Sequence, residues 1–222
     1  MSSWLALAVL GGLVGLDTTS FPQIMISRPV VAGALTGALF GRPLEGVAVG
    51  FLIEAFSLIV LPVGAARYPE SGTAAVAATG AYLAAVPPGV HAGSLVLVLA
   101  FALGWERLTG STVVLHRRNN GRILTRGPIT ALQLERRHLA AMTLDFLRGA
   151  AVSVGGGLLG YGLLAVATPY WQMNSLTTAA VLTVLAAAMV GTAVPLFGGL
   201  RSRRAPLLVG IVAGVALAML LP

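Results

Sequence analysis

Residues 16–37 read LDTTSFPQIMISRPVVAGALTG and place polar residues between two apolar segments. Asp17, Gln23 and Arg28 lie within this stretch, and two prolines interrupt the backbone beside them. A plain connection between two membrane-spanning helices requires none of these residues in particular. The stretch therefore indicates broken helices that carry a polar site.

The composition of the chain indicates the solvent that surrounds it. Hydrophobic residues make up 57% of the chain and charged residues only 9%, whereas a soluble domain carries about 25% charged residues. A membrane-spanning helix takes roughly 20 apolar residues, and the runs at 146–167 and 176–197 reach that length. Shorter apolar runs occupy 4–16, 29–40, 47–63, 72–86, 92–103 and 205–222. The sequence predicts an all-α integral membrane protein, a polytopic bundle of transmembrane helices.

A polar stretch at residues 110–138 divides the chain into two parts. Before that stretch the apolar segments are short and interrupted by proline or glycine, which is typical of broken helices or re-entrant hairpins. SRPVVAG at 27–33 is echoed by RAPLLVG at 204–210, which indicates a possible inverted repeat. We expect an N-terminal membrane half at 1–109 that holds the polar site, an Arg-rich cytoplasmic loop at 110–138 and a C-terminal membrane half at 139–222.

Arginines cluster in two polar stretches between apolar runs. They are Arg117, Arg118, Arg122, Arg126, Arg136 and Arg137 in the first stretch, and Arg201, Arg203 and Arg204 in the second. Because Arg-rich short loops mark the cytoplasmic side of a membrane protein, both stretches are predicted to be cytoplasmic anchors. Residues 129–147 have helical periodicity with a charged face, which favours a helix lying along that interface. The clustering argues against a nucleic-acid partner.

Small residues recur at helical spacing in the first half of the chain. Glycines repeat every fourth residue from Gly33 to Gly41 and from Gly46 to Gly50, where Glu54 continues the spacing. Residues four apart share one helix face, and small residues there let helices approach closely in lipid. For the glycines we favour packing. For Glu54 we favour a hydrogen-bond acceptor that faces a polar ligand, because a carboxylate within an apolar run is costly and is by default a functional candidate.

Each polar residue also admits a structural interpretation. A buried ion pair with Arg28, Arg42 or Arg67 is the alternative for Glu54. Asp17 is either a helix cap or a ligand-binding carboxylate.

Three further polar residues have two interpretations as well. Gln23 offers both donor and acceptor, which suits a hydroxyl-rich ligand, although an interfacial glutamine is common. Arg28 precedes Pro29 and is pushed towards an extended conformation, so it lies at the mouth of a helix or anchors the interface. Glu70 caps the next helix or points into a cavity.

Several other chemistries find no support in the sequence. Cysteine is absent, and His91, His116 and His138 lack the spacing of metal ligands. Walker A and G-x-S-x-G motifs are also lacking. Asp145 and Arg148, three residues apart, are interpreted as a pair on a helix surface, and both His116 and His138 as solvated. We therefore expect no enzyme, no metal site and no cofactor.

The motifs between residues 16 and 80 resemble the N-terminal half of the IIC permease subunit of the mannose/fructose/sorbose-type phosphotransferase system (PTS). The motifs that carry the resemblance are Asp17, Gln23 with Ser27-Arg28-Pro29, the series Gly46, Gly50 and Glu54, and the turn Gly64-Ala65-Ala66 with Pro69-Glu70. The likeness is looser over the rest of the chain. Two departures are the shorter C-terminal half and Glu70, where the family has aspartate.

This resemblance implies a function and a set of partners. It implies a multi-pass permease of the bacterial cytoplasmic membrane that passes a hexose-like sugar inward while IIA and IIB phosphocarrier proteins phosphorylate it. It also implies pairing with the IID membrane subunit, an oligomer and contact with membrane lipid. The expected sugar-binding residues are Asp17, Gln23, Arg28, Glu54 and Glu70. The alternative is a non-transporting regulatory or docking component of an incomplete phosphotransferase system.

Overall fold

The computed structural model describes residues 2–57, 69–124, 130–171, 173–193, 208, 209 and 212. These residues form helices joined by short connections, as the sequence predicts. The elements are α1 (Ser2–Thr19), α2 (Pro29–Leu39), α3 (Pro43–Ser57), α4 (Ser71–Ala85), α5 (Ala92–Leu124), α6 (Ala131–Ala167) and α7 (Ser175–Ala193).

Helix α4 lies at the centre of the bundle. It contacts α1, α2, α3, α5 and α6, and every residue from 72 to 83 is buried. Its sequence, SGTAAVAATGAYLAA, is built almost entirely from small residues, which let several helices approach one axis. A Cβ added at Gly80, for example, would lie 2.8 Å from a methyl carbon of Leu7. The small residues of α4 therefore set how closely the whole bundle packs.

Helices α2 and α3 form a tightly packed antiparallel hairpin. A Cβ at Gly33 would lie 2.5 Å from the carbonyl oxygen of Gly46 and 2.8 Å from the Cα of Gly50. The packing role expected for the glycines is confirmed at 33, 37, 46 and 50. It is wrong for Gly41, which has no described neighbour within 4 Å of an added Cβ and instead adopts a φ of +70° in the turn between the helices. The two helices have 11 and 15 residues, fewer than the roughly 20 that a full span requires. Most of 204–210 lies outside the described residues, so re-entrant hairpins and an inverted repeat stay predictions.

Helices α5 and α6 continue through most of the predicted cytoplasmic loop. They have 33 and 37 residues, and each is long and apolar enough over part of its length to cross a membrane. Residue 129 lies outside the described residues, and residues 131–147 do not form a separate interfacial helix, because they are the first part of α6. The physical reason is that arginine and glutamine are good helix formers, so a helix need not end where its apolar run ends. The division of the chain at 110–138 stays a prediction.

The beginning of α6 is capped as its sequence allows. The Thr130 hydroxyl accepts a hydrogen bond from the backbone N–H of Gln133, and the Gln133 side chain accepts one from the backbone N–H of Thr130. This reciprocal capping box satisfies two backbone donors. It places the start of the helix within the polar stretch.

Arg42 closes the end of the bundle where α4 terminates. Its guanidinium donates hydrogen bonds to the carbonyl oxygens of Leu83, Val86 and Pro87 at 2.8–2.9 Å, and to Glu45 at 3.0 Å. A cation at this position satisfies carbonyls that have no partner within the helix and complements the helix dipole. We call this end, which includes residues 40–42 and 86–91, the outer end, because it lies opposite the arginine-rich part of α5 that is predicted to be cytoplasmic.

Candidate functional site

Polar side chains collect at the opposite end of α4, where its first turn begins. We call this group the polar layer. It comprises Asp17, Arg28, Glu54, Glu70, Asp145 and Arg148.

Asp17 organises the loop between α1 and α2. It is 3% exposed and lies within the last turns of α1. One carboxylate oxygen accepts from the backbone N–H of Ile24 at 2.6 Å, and the other from the N–H of Ser27 at 2.9 Å. The interpretation as a helix cap is wrong, because the carboxylate binds the backbone of a loop that follows its helix and not the start of a helix.

Gln23 lies on the surface of that loop. It is exposed, and its φ of +58° and the φ of +69° at Met25 lie in the left-handed region. Non-glycine residues adopt that region uncommonly, and they do so at a cost that the surrounding contacts must offset. Here Asp17 supplies such contacts from both of its oxygens. The loop is thus held in one shape while the Gln23 amide stays accessible.

Arg28 and Glu54 form an ion pair between the beginning of α2 and the last turns of α3. The second Glu54 oxygen accepts from the backbone N–H of Val30 at 3.3 Å. The Glu54 side chain is 13% exposed and that of Arg28 is 53% exposed. The pair is therefore anchored on its carboxylate side and open on its guanidinium side.

Of the three arginines considered as partners of Glu54, Arg28 is the one that the structure brings to it. Arg42 lies at the outer end, and Arg67 lies outside the described residues. Arg28 has extended backbone dihedral angles, φ −63° and ψ 130°, and α2 begins at Pro29 as the sequence predicts. The proline fixes the start of the helix and so places Arg28 at its mouth.

Glu70 and Arg148 form a second ion pair, which is buried. Two guanidinium nitrogens of Arg148 donate to the two carboxylate oxygens of Glu70 at 2.7 and 2.9 Å. The Glu70 side chain is 0% exposed and that of Arg148 is 9% exposed. Glu70 occupies the position before α4, but its side chain makes no capping hydrogen bond. Paired, bidentate geometry of this kind is the arrangement that makes buried charge tolerable.

Asp145, which lies one turn before Arg148 on α6, is a second carboxylate bound by the same guanidinium. It accepts from Nε of Arg148 at 2.9 Å and from the Ser20 hydroxyl at 2.8 Å, and also from the Thr19 hydroxyl. Because Asp145 is 0% exposed, the interpretation of Asp145 and Arg148 as a surface pair is wrong. A spacing of three residues shows that two side chains share a face, but not whether that face is buried. The hydrogen bonds that Asp145 accepts from Thr19 and Ser20, at the end of α1 and just after it, show that this face is buried.

A signal for this buried face exists in the sequence and was missed. Gly149 and Ser153 follow Asp145 at four-residue spacing, and both are buried against α1. This is the pattern that singled out Glu54 after Gly46 and Gly50. A carboxylate at the end of a row of small residues thus indicates the packed face of a membrane helix in both places.

Helix α5 contributes two more buried groups. The His116 ring lies 3.9 Å from Asp145 and is 10% exposed, so the expectation that it is solvated is wrong. Glu106, which the sequence reasoning overlooked, is 3% exposed and accepts from the Ser57 hydroxyl at 3.4 Å. Glu106 was overlooked because it follows the predicted end of the apolar run at 92–103. A carboxylate between apolar stretches is nevertheless a signal of a functional or buried charged residue.

Comparison with known proteins identifies the family. The family described as "PTS system sorbose-specific iic component" matches residues 1–123. The chain belongs to this family. The resemblance seen in the motifs is therefore confirmed, and the chain is a sugar-transport component of the phosphotransferase system. Its described helices, two of them long enough to span a membrane, agree with a membrane permease.

Two further comparisons concern solved structures and curated proteins. A solved chain described as "Structure of membrane protein" matches with a TM-score of 0.68 and 15% identity, covering 99% of this chain and 94% of that chain. At this identity the likeness shows a shared fold alone. No curated protein matches. The sorbose-type family match contains Asp17, Arg28, Glu54 and Glu70, whereas α6, which supplies Arg148, lies beyond it.

Proposed function

We propose that this IIC component binds a hexose-like sugar at the polar layer and passes it inward, while IIA and IIB proteins phosphorylate it. The observation that carries the proposal is the ion pair of Arg28 and Glu54. It joins the two helices of the short α2–α3 hairpin, and its guanidinium is half-exposed. The carboxylate is thus held in place beside a cation that is accessible from outside.

The chemistry of the pair suits exchange with sugar hydroxyls. Glu54 accepts hydrogen bonds from Arg28 and from the Val30 N–H. A sugar hydroxyl is also a donor, so it can replace one of these partners without leaving the carboxylate unsatisfied. Arg28 would stay close enough to balance the charge, which is costly to leave alone within a membrane.

The other predicted site residues receive different roles in this proposal. Gln23 offers an accessible amide with both donor and acceptor, which supports direct contact with the sugar. Asp17 uses both carboxylate oxygens on the loop backbone, which supports a positioning role. Glu70 is held by Arg148 and would contact the sugar only if that pair opened during transport.

Partner and membrane assignments extend the proposal. We infer a multi-pass protein of the bacterial cytoplasmic membrane that pairs with a IID subunit within an oligomer. Support comes from α7, whose apolar side chains are largely exposed. Such a surface requires lipid or another membrane chain around it.

Sugar uptake into membrane vesicles tests the proposal. Vesicles would carry this chain, its IID partner and the soluble carriers, with and without phosphoenolpyruvate, and would be offered labelled hexoses. We expect accumulation of sugar phosphate that requires phosphoenolpyruvate. Glu54→Gln is expected to abolish uptake while the protein stays in the membrane, because the amide cannot balance Arg28.

A matched control is Glu135→Gln, the same exchange at an exposed position of α6, which should leave uptake unchanged. Unchanged uptake in Glu54→Gln would refute the role of Glu54. Lack of any uptake by an assembled wild-type complex would favour the regulatory component instead.

A further inference from the structure

A cavity lies at the outer end, away from the polar layer. It has a volume of about 610 Å³, is open on one side, and is lined by the beginning of α5, the segment that follows α6 and the beginning of α7. This volume falls within the range of about 300–1,000 Å³ that is typical of small-molecule sites. The polar, aromatic and sulfur-containing side chains in its wall are His91, Ser94, Thr168, Trp171, Met173 and Thr178.

The wall of this cavity suits an uncharged, hydroxyl-rich ligand. It carries three hydroxyls and an imidazole but, among the described residues, no carboxylate or guanidinium. The Trp171 side chain is 46% exposed, and one edge of its indole packs on Gly93, where an added Cβ would lie 2.8 Å from Cδ1. The ring is therefore fixed on one side and free on the other. An aromatic face of this kind covers the apolar C–H face of a pyranose, while the surrounding polar groups bind its hydroxyls.

One hydroxyl in the wall is available for a further hydrogen bond. In the described part of the chain, Thr168 Oγ1 is shielded and has no hydrogen-bond partner. Shielded polar atoms are nearly always bonded in proteins, so each exception requires an explanation. Rotation of this side chain towards the cavity would let a ligand hydroxyl or a water satisfy it.

The position of the cavity along α5 places it at the end of the helix opposite the arginines. His91 and Arg117 are separated by 26 residues of almost continuous helix, which corresponds to about 39 Å at 1.5 Å per residue. This exceeds the roughly 30 Å of the hydrocarbon core. Because the Arg-rich end is predicted to be cytoplasmic, we expect the cavity to open on the side from which the sugar arrives.

We propose that this cavity is an outer vestibule that binds a neutral monosaccharide before it reaches the polar layer. The inference rests on the proposed transport function. Trp171 stacks on the sugar ring, and His91 with the three hydroxyls binds its polar rim. Occupancy of the vestibule raises the local concentration of sugar at the entrance.

Uptake kinetics with the assembled complex test this vestibule. We expect Trp171→Ala to raise the KM for uptake about five- to tenfold with kcat unchanged, since removing one aromatic ring that stacks on a sugar weakens binding by about that factor. Tyr170→Ala is the matched control, because Tyr170 is the adjacent aromatic residue, is 87% exposed and does not line the cavity. An unchanged KM in Trp171→Ala would overturn the vestibule.

Tryptophan fluorescence separates this proposal from the transport function. In Glu54→Gln, which should not transport, added D-mannose or L-sorbose should still quench the fluorescence, and Glu54→Gln combined with Trp171→Phe should lose that quenching. Quenching that persists without Trp171, or none for any hexose tested, would overturn the vestibule. Failure of the transport proposal would instead appear as no uptake by the wild-type complex, whatever the fluorescence shows.

Discussion

Arg148 is the cation on which two buried carboxylates depend. It donates to both Glu70 and Asp145, and both carboxylates are fully buried. Arg148→Met would leave two carboxylates without their cation, and breaking a buried pair costs about 3–5 kcal/mol. We expect a lower melting temperature in detergent and less folded protein in the membrane.

The control for this prediction is Arg118→Met, at an exposed position of α5. Adding Glu70→Gln to Arg148→Met should recover part of the lost stability, because it removes one of the two stranded charges. Equal melting temperatures for the wild type and Arg148→Met would contradict a structural role for this pair.

The residues of the site differ in how far the sequence could predict them. Arg28 and Glu54 follow from local signals, namely a proline that starts a helix and a row of glycines that ends at a carboxylate. The pairing of Glu70 with Arg148 does not, because 78 residues separate them. No helical spacing rule links residues on different helices, so only the packed bundle shows which face of α6 meets α4.

At the scale of elements, the α2–α3 hairpin depends on glycines at its interface. A Cβ at Gly46 would clash with the carbonyl oxygen of Gly33 and would lie 2.6 Å from the Cα of Gly37. These are backbone atoms, which cannot rotate away. We expect Gly46→Ala to separate the two helices, to lower the melting temperature by several degrees and to reduce sugar uptake, because Glu54 lies on the same hairpin.

Gly104→Ala is the matched control for the hairpin. Gly104 lies within α5, and nothing lies within 4 Å of a Cβ built there. Alanine is also the better helix former by about 1 kcal/mol, so stability should stay the same or rise. If Gly46→Ala behaves like Gly104→Ala, the close approach of α2 and α3 does not hold in the membrane.

Helix ends show what the sequence predicts well and what it does not. Pro29 and Pro43 begin α2 and α3, and proline at the first helical position is a strong local signal. The ends of α5 and α6 were missed, since the apolar runs stop well before Leu124 and begin well after Ala131. Hydropathy reports where lipid contacts a helix, whereas backbone hydrogen bonds and capping decide where the helix itself ends.

For the whole molecule, composition alone predicts the solvent and therefore the class of fold. The small residues that pack α4 against five neighbours are visible in the sequence, but their arrangement in space is not. The order of the helices around α4 comes from contacts between segments that are far apart in the chain. The two ends of the bundle, and hence the distinction between the vestibule and the polar layer, follow only from that arrangement.

The orientation of the bundle gives a prediction for the complete protein. The chain has no cysteine, so a single introduced thiol reports its own position. We expect Tyr170→Cys to react with a membrane-impermeant maleimide in intact bacterial cells, because Tyr170 is 87% exposed in the turn that follows α6. Arg118→Cys, in the Arg-rich part of α5, should react only after permeabilisation, because arginine-rich segments stay on the cytoplasmic side. The reverse pattern would place the polar layer near the outer surface and the vestibule inside, and sugar entering from outside would then meet Glu54 first.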